Sequence, residues 1–149
     1  MKKSITLLFV FLALTSLASA QKALGLRLGS GSASGVEASF QLDLSKTNRL
    51  ELDLGLESGE KNHSGMTLIG DYQWVWDLSE ITEGMKWYAG AGAGLHLFDN
   101  IGIGVNGQIG IEYTLQEIPL QFSLDTRPSF FGNGYGFGYG AALGVRYKF

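Results

Sequence analysis

The chain holds two histidines, His63 and His96, the side chains best suited to general-base work near neutral pH. His63 stands close to Glu60 and Ser64, so an acid, a base and a hydroxyl fall within one short stretch. A hydrolase uses such a set to activate a serine. The same stretch, Ser58 to Gly65, is short and polar. A solvated loop of that kind holds catalytic geometry poorly, so it is read as a polar loop. His96 lies far away in sequence, and two scattered histidines make a weak metal site. There is no cysteine to act as nucleophile or soft ligand. Gly102-Ile103-Gly104 is strand alternation, not a dinucleotide loop, because no helix pattern follows it. The reading is a non-enzyme with no catalytic, cofactor-binding or metal-ligating residue.

The elements that would position any such group are strands. In the last stretch, Phe137 to Phe149, the odd positions are apolar and the even positions small or cationic. That period of two is a strand with one apolar face. The pattern recurs in seven earlier segments: Ala23 to Ser30, Val36 to Leu44, Arg49 to Glu57, Met66 to Leu78, Met85 to Phe98, Ile101 to Thr114 and Pro119 to Arg127. Each can cross a bilayer when tilted. Short connections join neighbours, with Ser45 to Asn48 and Asp99-Asn100 as turn signals. Eight antiparallel strands in sequence order predict an all-β, up-and-down barrel closed on itself.

The start predicts export. Lys2 and Lys3 precede an apolar run from Ile5 to Leu14, and Ala18-Ser19-Ala20 is an A-x-A cleavage site. Residues 1–20 are read as a signal peptide and 21–149 as one barrel domain. The net charge is −3, and about −5 once Lys2 and Lys3 are removed, which argues against nucleic acid as a partner.

Alternating strands build either a soluble barrel, apolar inside, or a membrane barrel, apolar outside. Aromatic placement selects the second. With the amino terminus in the periplasm, Trp74, Trp76, Trp87, Tyr113, Tyr147 and Phe149 fall at the periplasmic end of the apolar face. Phe137 and Tyr139 fall at the outer end, with Phe98 close by. Two aromatic levels around an aliphatic middle are a pair of interfacial girdles. The opposite face becomes the lumen. It is polar, charged or glycine apart from Ile69 and Val75, and eight strands leave room only for side chains. Arg27 and Arg146 should meet Glu51, Asp53, Asp71 and Asp125 there, since buried charges need partners. The outward face is read as free of histidine and serine, the residues a lipid-trimming enzyme would need. Ser129 to Tyr135 is read as an outer loop. Its Phe130, Phe131, Asn133 and Tyr135 either extend the girdle or form a surface contact for sugar, peptide or lipopolysaccharide.

The apparent signal peptide, the eight alternating strands and the terminal Val145-Arg146-Tyr147-Lys148-Phe149 resemble the small outer-membrane β-barrel proteins of Gram-negative bacteria, the OmpX/OmpA-barrel class. Ile111-Glu112-Tyr113-Thr114, Ile118-Pro119-Leu120, Ser123-Leu124-Asp125 and Arg127-Pro128 are similar to short members of that class. The resemblance implies an outer-membrane location and partners among outer-membrane lipid and lipopolysaccharide. It also implies a monomer, with Tyr147 and Phe149 as the signal read by the barrel assembly machinery. It specifies architecture better than activity. The expected function is structural or surface-interacting, with a narrow pore and a lipid A-modifying enzyme as alternatives. If His63 is only a loop residue, His63→Ala should leave folding and lipid A composition unchanged, as mass spectrometry of lipid A would check; an altered acyl pattern would overturn the non-enzyme reading.

Overall fold

The structure, a computed structural model, describes residues 21–31, 35–58, 64–97 and 100–149. The expected signal peptide and the residues Glu60, His63, Phe98 and Asp99 lie outside the described residues. Eight strands follow one another: β1 (Lys22–Gly31), β2 (Gly35–Asp43), β3 (Asn48–Ser58), β4 (Ser64–Asp77), β5 (Met85–Leu97), β6 (Ile101–Thr114), β7 (Leu120–Phe131) and β8 (Gly136–Lys148). They form a closed antiparallel barrel in sequence order.

Closure is made by β1 on β8, with Leu24 opposite Tyr147, Leu26 opposite Val145 and Leu28 opposite Leu143. Lys22 and Phe149 exchange backbone hydrogen bonds of 3.1 and 2.8 Å at the end of that seam. A closed sheet leaves no edge of unpaired N–H and C=O groups, which hydrocarbon could not satisfy. One interruption occurs. The β6–β7 ladder skips Gly107 and Gln108, which fall opposite Pro128 and Arg127, while the register continues unchanged on either side. Proline has no N–H to donate, so the rung is lost there.

Local chemistry makes the turns. The Ser45 hydroxyl accepts from the backbone N–H of Thr47 (3.2 Å) and Asn48 (3.1 Å), closing the β2–β3 hairpin. Gly84 enters β5 at φ +87°, and a Cβ there would stand 2.3 Å from the Thr114 carbonyl oxygen. Only glycine fits both conditions.

The alternation divides the residues as the sequence predicts. Leu143 is 63% and Ile103 67% exposed, whereas Arg27 and Arg146 are fully buried. The interior is polar and charged and the exterior is leucine, isoleucine, valine and aromatic rings. This is inside-out relative to a soluble barrel and is the surface of a transmembrane one. Trp74, Trp76, Trp87 and Tyr147 gather towards the end that holds the termini, where Trp76 stacks on Trp87 at 4.1 Å. Phe137 and Tyr139 stand exposed at the other end.

Two expectations need correction. β7 does not stop at Arg127; it runs on to Phe131, because the alternation continues through Ser129 and Phe131 inward and Phe130 outward. The outward face is also not free of serine, since Ser30 follows the outward parity of β1 and is exposed. His96, the one described histidine, faces the lumen.

Leu143 lies mid-strand on the outer face, so Leu143→Arg should cost about 2–4 kcal/mol in a bilayer. Tyr147→Arg, near the end of β8, should cost about 0–1 kcal/mol by the same depth dependence. Urea unfolding from lipid vesicles measures both, and equal losses at the two positions would contradict this placement.

Candidate functional site

The lumen is where the chain concentrates its polar chemistry. Among the described residues it buries four arginines, Arg27, Arg49, Arg127 and Arg146, and six acids, Glu37, Glu51, Asp53, Asp71, Glu112 and Asp125. Taking that many charges out of water is costly unless each finds partners. Every strand except β5 supplies at least one of them.

The contacts stack in tiers. Nearest the termini, Arg49 Nη1 meets Glu112 Oε2 at 2.6 Å, and its guanidinium lies 4.7 Å over the Tyr88 ring. Arg49 Nε also donates to Gln73 Oε1. The Tyr88 hydroxyl donates to Asp125 Oδ2 at 3.0 Å. Arg146 donates to Glu51 Oε2 (3.0 Å) and to the hydroxyls of Ser39 (2.9 Å) and Ser123 (2.8 Å). Gln108 donates to Glu51 Oε1 at 3.0 Å. Glu51 is therefore held by groups from several walls. Arg27 donates to Glu37, Asp53 and Asp125. Arg127, from β7, also donates to Glu37 and Asp53.

Glycines on adjacent strands make room for the long lumen side chains beside them. A Cβ on Gly144 would stand 2.4 Å from Ser123 Oγ and 3.2 Å from Arg27 Cγ. A Cβ on Gly92 would stand 2.3 Å from Asp71 Oδ1, and one on Gly110 2.6 Å from Tyr88 Cζ. The glycine faces of β5 and β6 are thus filled by neighbouring side chains and do not form an empty groove.

Glu51, Asp53 and Asp71 bring one oxygen each within 4.8 Å of one another, the arrangement a cation would use. A cation of the protein's own is already there. Arg127 Nη2 donates to Asp53 Oδ2 and lies 3.7 Å from both Glu51 Oε1 and Asp71 Oδ2. The three carboxylates cage a guanidinium.

The far end closes with rings. His96 receives Phe131 edge-on at 4.1 Å and stacks on Tyr135 at 5.1 Å; its Nδ1 meets the Thr67 hydroxyl at 2.9 Å. The Tyr135 hydroxyl donates to the Asn100 carbonyl at 2.8 Å, and Asn133, at φ 56°, donates to the Ile101 carbonyl. Of the stretch read as a surface contact, Phe130, Asn133 and Tyr135 are exposed and only Phe131 is corrected. Phe131 is a buried lumen residue, and Asn133 and Tyr135 use their polar groups to fasten the β7–β8 turn over β6. Phe130 alone of the four keeps its side chain on the outer face of a strand, 57% exposed.

Of the lumen residues expected from sequence, all six are buried inside. Arg27 meets Asp53 and Asp125, and Arg146 meets Glu51. Asp71 meets neither arginine: Asn106 donates to it at 2.6 Å, and its nearest guanidinium is Arg127. The sequence reading left Glu37, Arg49, Glu112 and Arg127 out of the cluster, although strand parity alone places all four inward.

No known family profile matches the chain, and no curated protein does. Solved structures match in fold. The N-terminal β-barrel domain of Pseudomonas aeruginosa OprF aligns with a TM-score of 0.67 at 18% identity, covering 87% of this chain and 97% of that one. A de novo designed transmembrane β-barrel aligns at 0.56 with 14% identity, covering 87% and 95%. The designed barrel TMB2.3 aligns at 0.55 with 12% identity, covering 86% and 93%. At these identities the likeness is one of architecture: the chain has the eight-stranded antiparallel fold of small outer-membrane barrel domains.

Removing the guanidinium from the carboxylate cage should strand several acids at once. Arg127→Leu should destabilise the barrel by about 3–5 kcal/mol, the range for breaking a buried pair by deleting one partner. A urea midpoint equal to that of the parent would contradict the caged-arginine account.

Proposed function

We propose that this chain is a non-catalytic, integral outer-membrane β-barrel protein with a structural or surface-interaction role. The observation that carries the reading is the pairing of a predominantly apolar belt outside with a lumen filled by interlocked ion pairs inside. A barrel built for catalysis would present a reactive set to lipid or solvent. Here the one described histidine is stacked between rings and hydrogen-bonded to Thr67. The lumen carboxylates are engaged by arginine and amide donors. Ser30 on the outer face has no described histidine beside it. Lipid A modification is accordingly the weakest reading.

In this proposal the termini lie in the periplasm. Trp74, Trp76, Trp87, Tyr113 and Tyr147 form the inner girdle, and Phe137 and Tyr139 the outer one. Outer-membrane lipid and lipopolysaccharide cover the belt. Tyr147 and Phe149 serve the assembly machinery: both side chains are exposed, at 53% and 62%, at the closing seam. The barrel acts as a monomer. A signal peptide at residues 1–20 delivers it, and residues 21–149 make the domain.

A narrow passive pore is the second reading, favoured by the open mouth at the end that holds the termini. The tiers from Arg49 to Arg127 stand between that mouth and the aromatic closure at the other end, which argues for a plugged lumen. Planar-bilayer recording should show no discrete conductance steps from the purified full-length chain. Reproducible steps would replace this proposal with the pore, and lipid A altered in cells expressing the chain would replace it with the enzyme.

A further inference from the structure

A vestibule of about 970 Å³ opens at the end of the barrel that holds the termini. Its charged lining comprises Lys46, Arg49, Lys86 and Lys148 against Asp43, Asp77 and Glu112, with Trp76 also lining it. We propose that this vestibule binds a small free oxyanion, a phosphate or carboxylate group, through Lys46 and Lys86, with the buried Arg49 guanidinium beneath them.

The argument is a count of unmet donors. Each carboxylate of the vestibule already has a partner. Asp43 lies 3.7 Å from Lys148 Nζ. Asp77 accepts from the Ser79 backbone N–H at 3.2 Å and from its hydroxyl at 2.7 Å. Glu112 holds Arg49 Nη1. The cations are not matched in the same way. Lys46 and Lys86 make no hydrogen bond or ion pair among the described residues. Lys86 stands opposite Asp77 in the β4–β5 register, yet the Asp77 carboxylate is turned to Ser79. Arg49 is 2% exposed and its Nη2 has no acceptor. A buried donor without an acceptor is costly, and an oxyanion with several lone pairs is what such donors lack.

The sign of the ligand follows from this local imbalance and not from a long-range field. The lumen as a whole, Arg49 and Glu112 included, holds six carboxylates to four guanidiniums among the described residues, so steering from a distance does not favour an anion. Binding is therefore short-range and weak, and it depends on the lysines one by one. A cation entering the vestibule would face three ammonium groups, and the one buried acceptor without a hydrogen bond, Glu112 Oε2, already lies 2.6 Å from Arg49 Nη1. Arg49, Val75 and Glu112 of its lining face inward, while Leu44 and Trp76 stand on its outer rim, so the mouth is open to a free solute as well as close to the girdle.

The test uses the full chain folded in a non-ionic maltoside detergent and titrated with inorganic phosphate at constant ionic strength. The Lys86 and Arg49 side-chain NMR signals and tryptophan fluorescence are followed. We expect a saturable response that sodium chloride at matched ionic strength does not produce. Lys46→Gln with Lys86→Gln together should weaken it by about tenfold or more. Lys22→Gln, outside the vestibule, should leave it unchanged. Both variants change groups without internal partners, so folding is preserved, which the heat-sensitive gel shift verifies. No saturable response, or one equal in the double variant, would overturn the site. In nanodiscs without phosphate, a response to phosphatidylglycerol that free phosphate fails to reproduce would also overturn it, by making the occupant a headgroup.

Discussion

The structure depends on one constraint: charges placed inside a closed barrel have to be satisfied from the facing walls. Arg27, Arg127 and Arg146 reach across the lumen to carboxylates that are far away in sequence. Arginine suits this work because its planar fork serves several acceptors at once and keeps its charge. The carboxylates are shared in turn. Asp53 receives both Arg27 and Arg127, and Glu51 receives Arg146, Gln41 and Gln108. Such a network cross-links strands that are not neighbours in the sheet, which backbone hydrogen bonds alone cannot do. Its cost in desolvation is high. Its return lies in specificity, because a one-residue register slip would turn an arginine into the lipid.

The same constraint explains the glycines. Soluble sheets avoid glycine in strand interiors because it weakens them and leaves nothing to pack. Here Gly92, Gly110 and Gly144 make room for Asp71, Tyr88 and the Arg27 stem. Each of these glycines lies opposite the residue it accommodates on the adjacent strand. The two ends differ. One ends in the stack of Phe131, His96 and Tyr135, and the other in an open mouth rimmed with lysines and carboxylates.

Strand number, order and the sorting of faces were legible in the sequence because side-chain alternation has a period of two everywhere. Leu24, Leu26 and Leu28 already declare an outward face, and Arg27 an inward one. What the sequence hid was partner choice. Parity says that Asp71 and Arg146 share the lumen. Only stagger decides that Asp71 falls to Asn106 and Arg127 while Arg146 falls to Glu51. The fate of Ser129 to Tyr135 was hidden for a different reason. Pro128 and the glycines that follow read as a loop, yet the ladder loses only the two pairs at Pro128 and Arg127, so β7 continues and carries Phe131 inside. A stricter use of parity would have placed Arg49, Arg127, Glu37 and Glu112 in the lumen cluster. No local signal marks Tyr135 as the partner of His96.

The central claim, apolar face to lipid and charged face to a filled lumen, is tested most directly by site-directed spin labelling along β8. The chain has no cysteine, so single substitutions from Phe137 to Tyr147 carry the label without background. In lipid vesicles, the odd positions from Tyr139 to Val145 should be open to dissolved oxygen and closed to a water-soluble nickel chelate. The even positions Gly140 and Ala142, which leave the Gly144 contact and the Arg146 ion pairs intact, should be closed to both, because the lumen they face is packed. Alternation of the opposite phase, with even positions open to oxygen and odd positions shielded, would contradict the account.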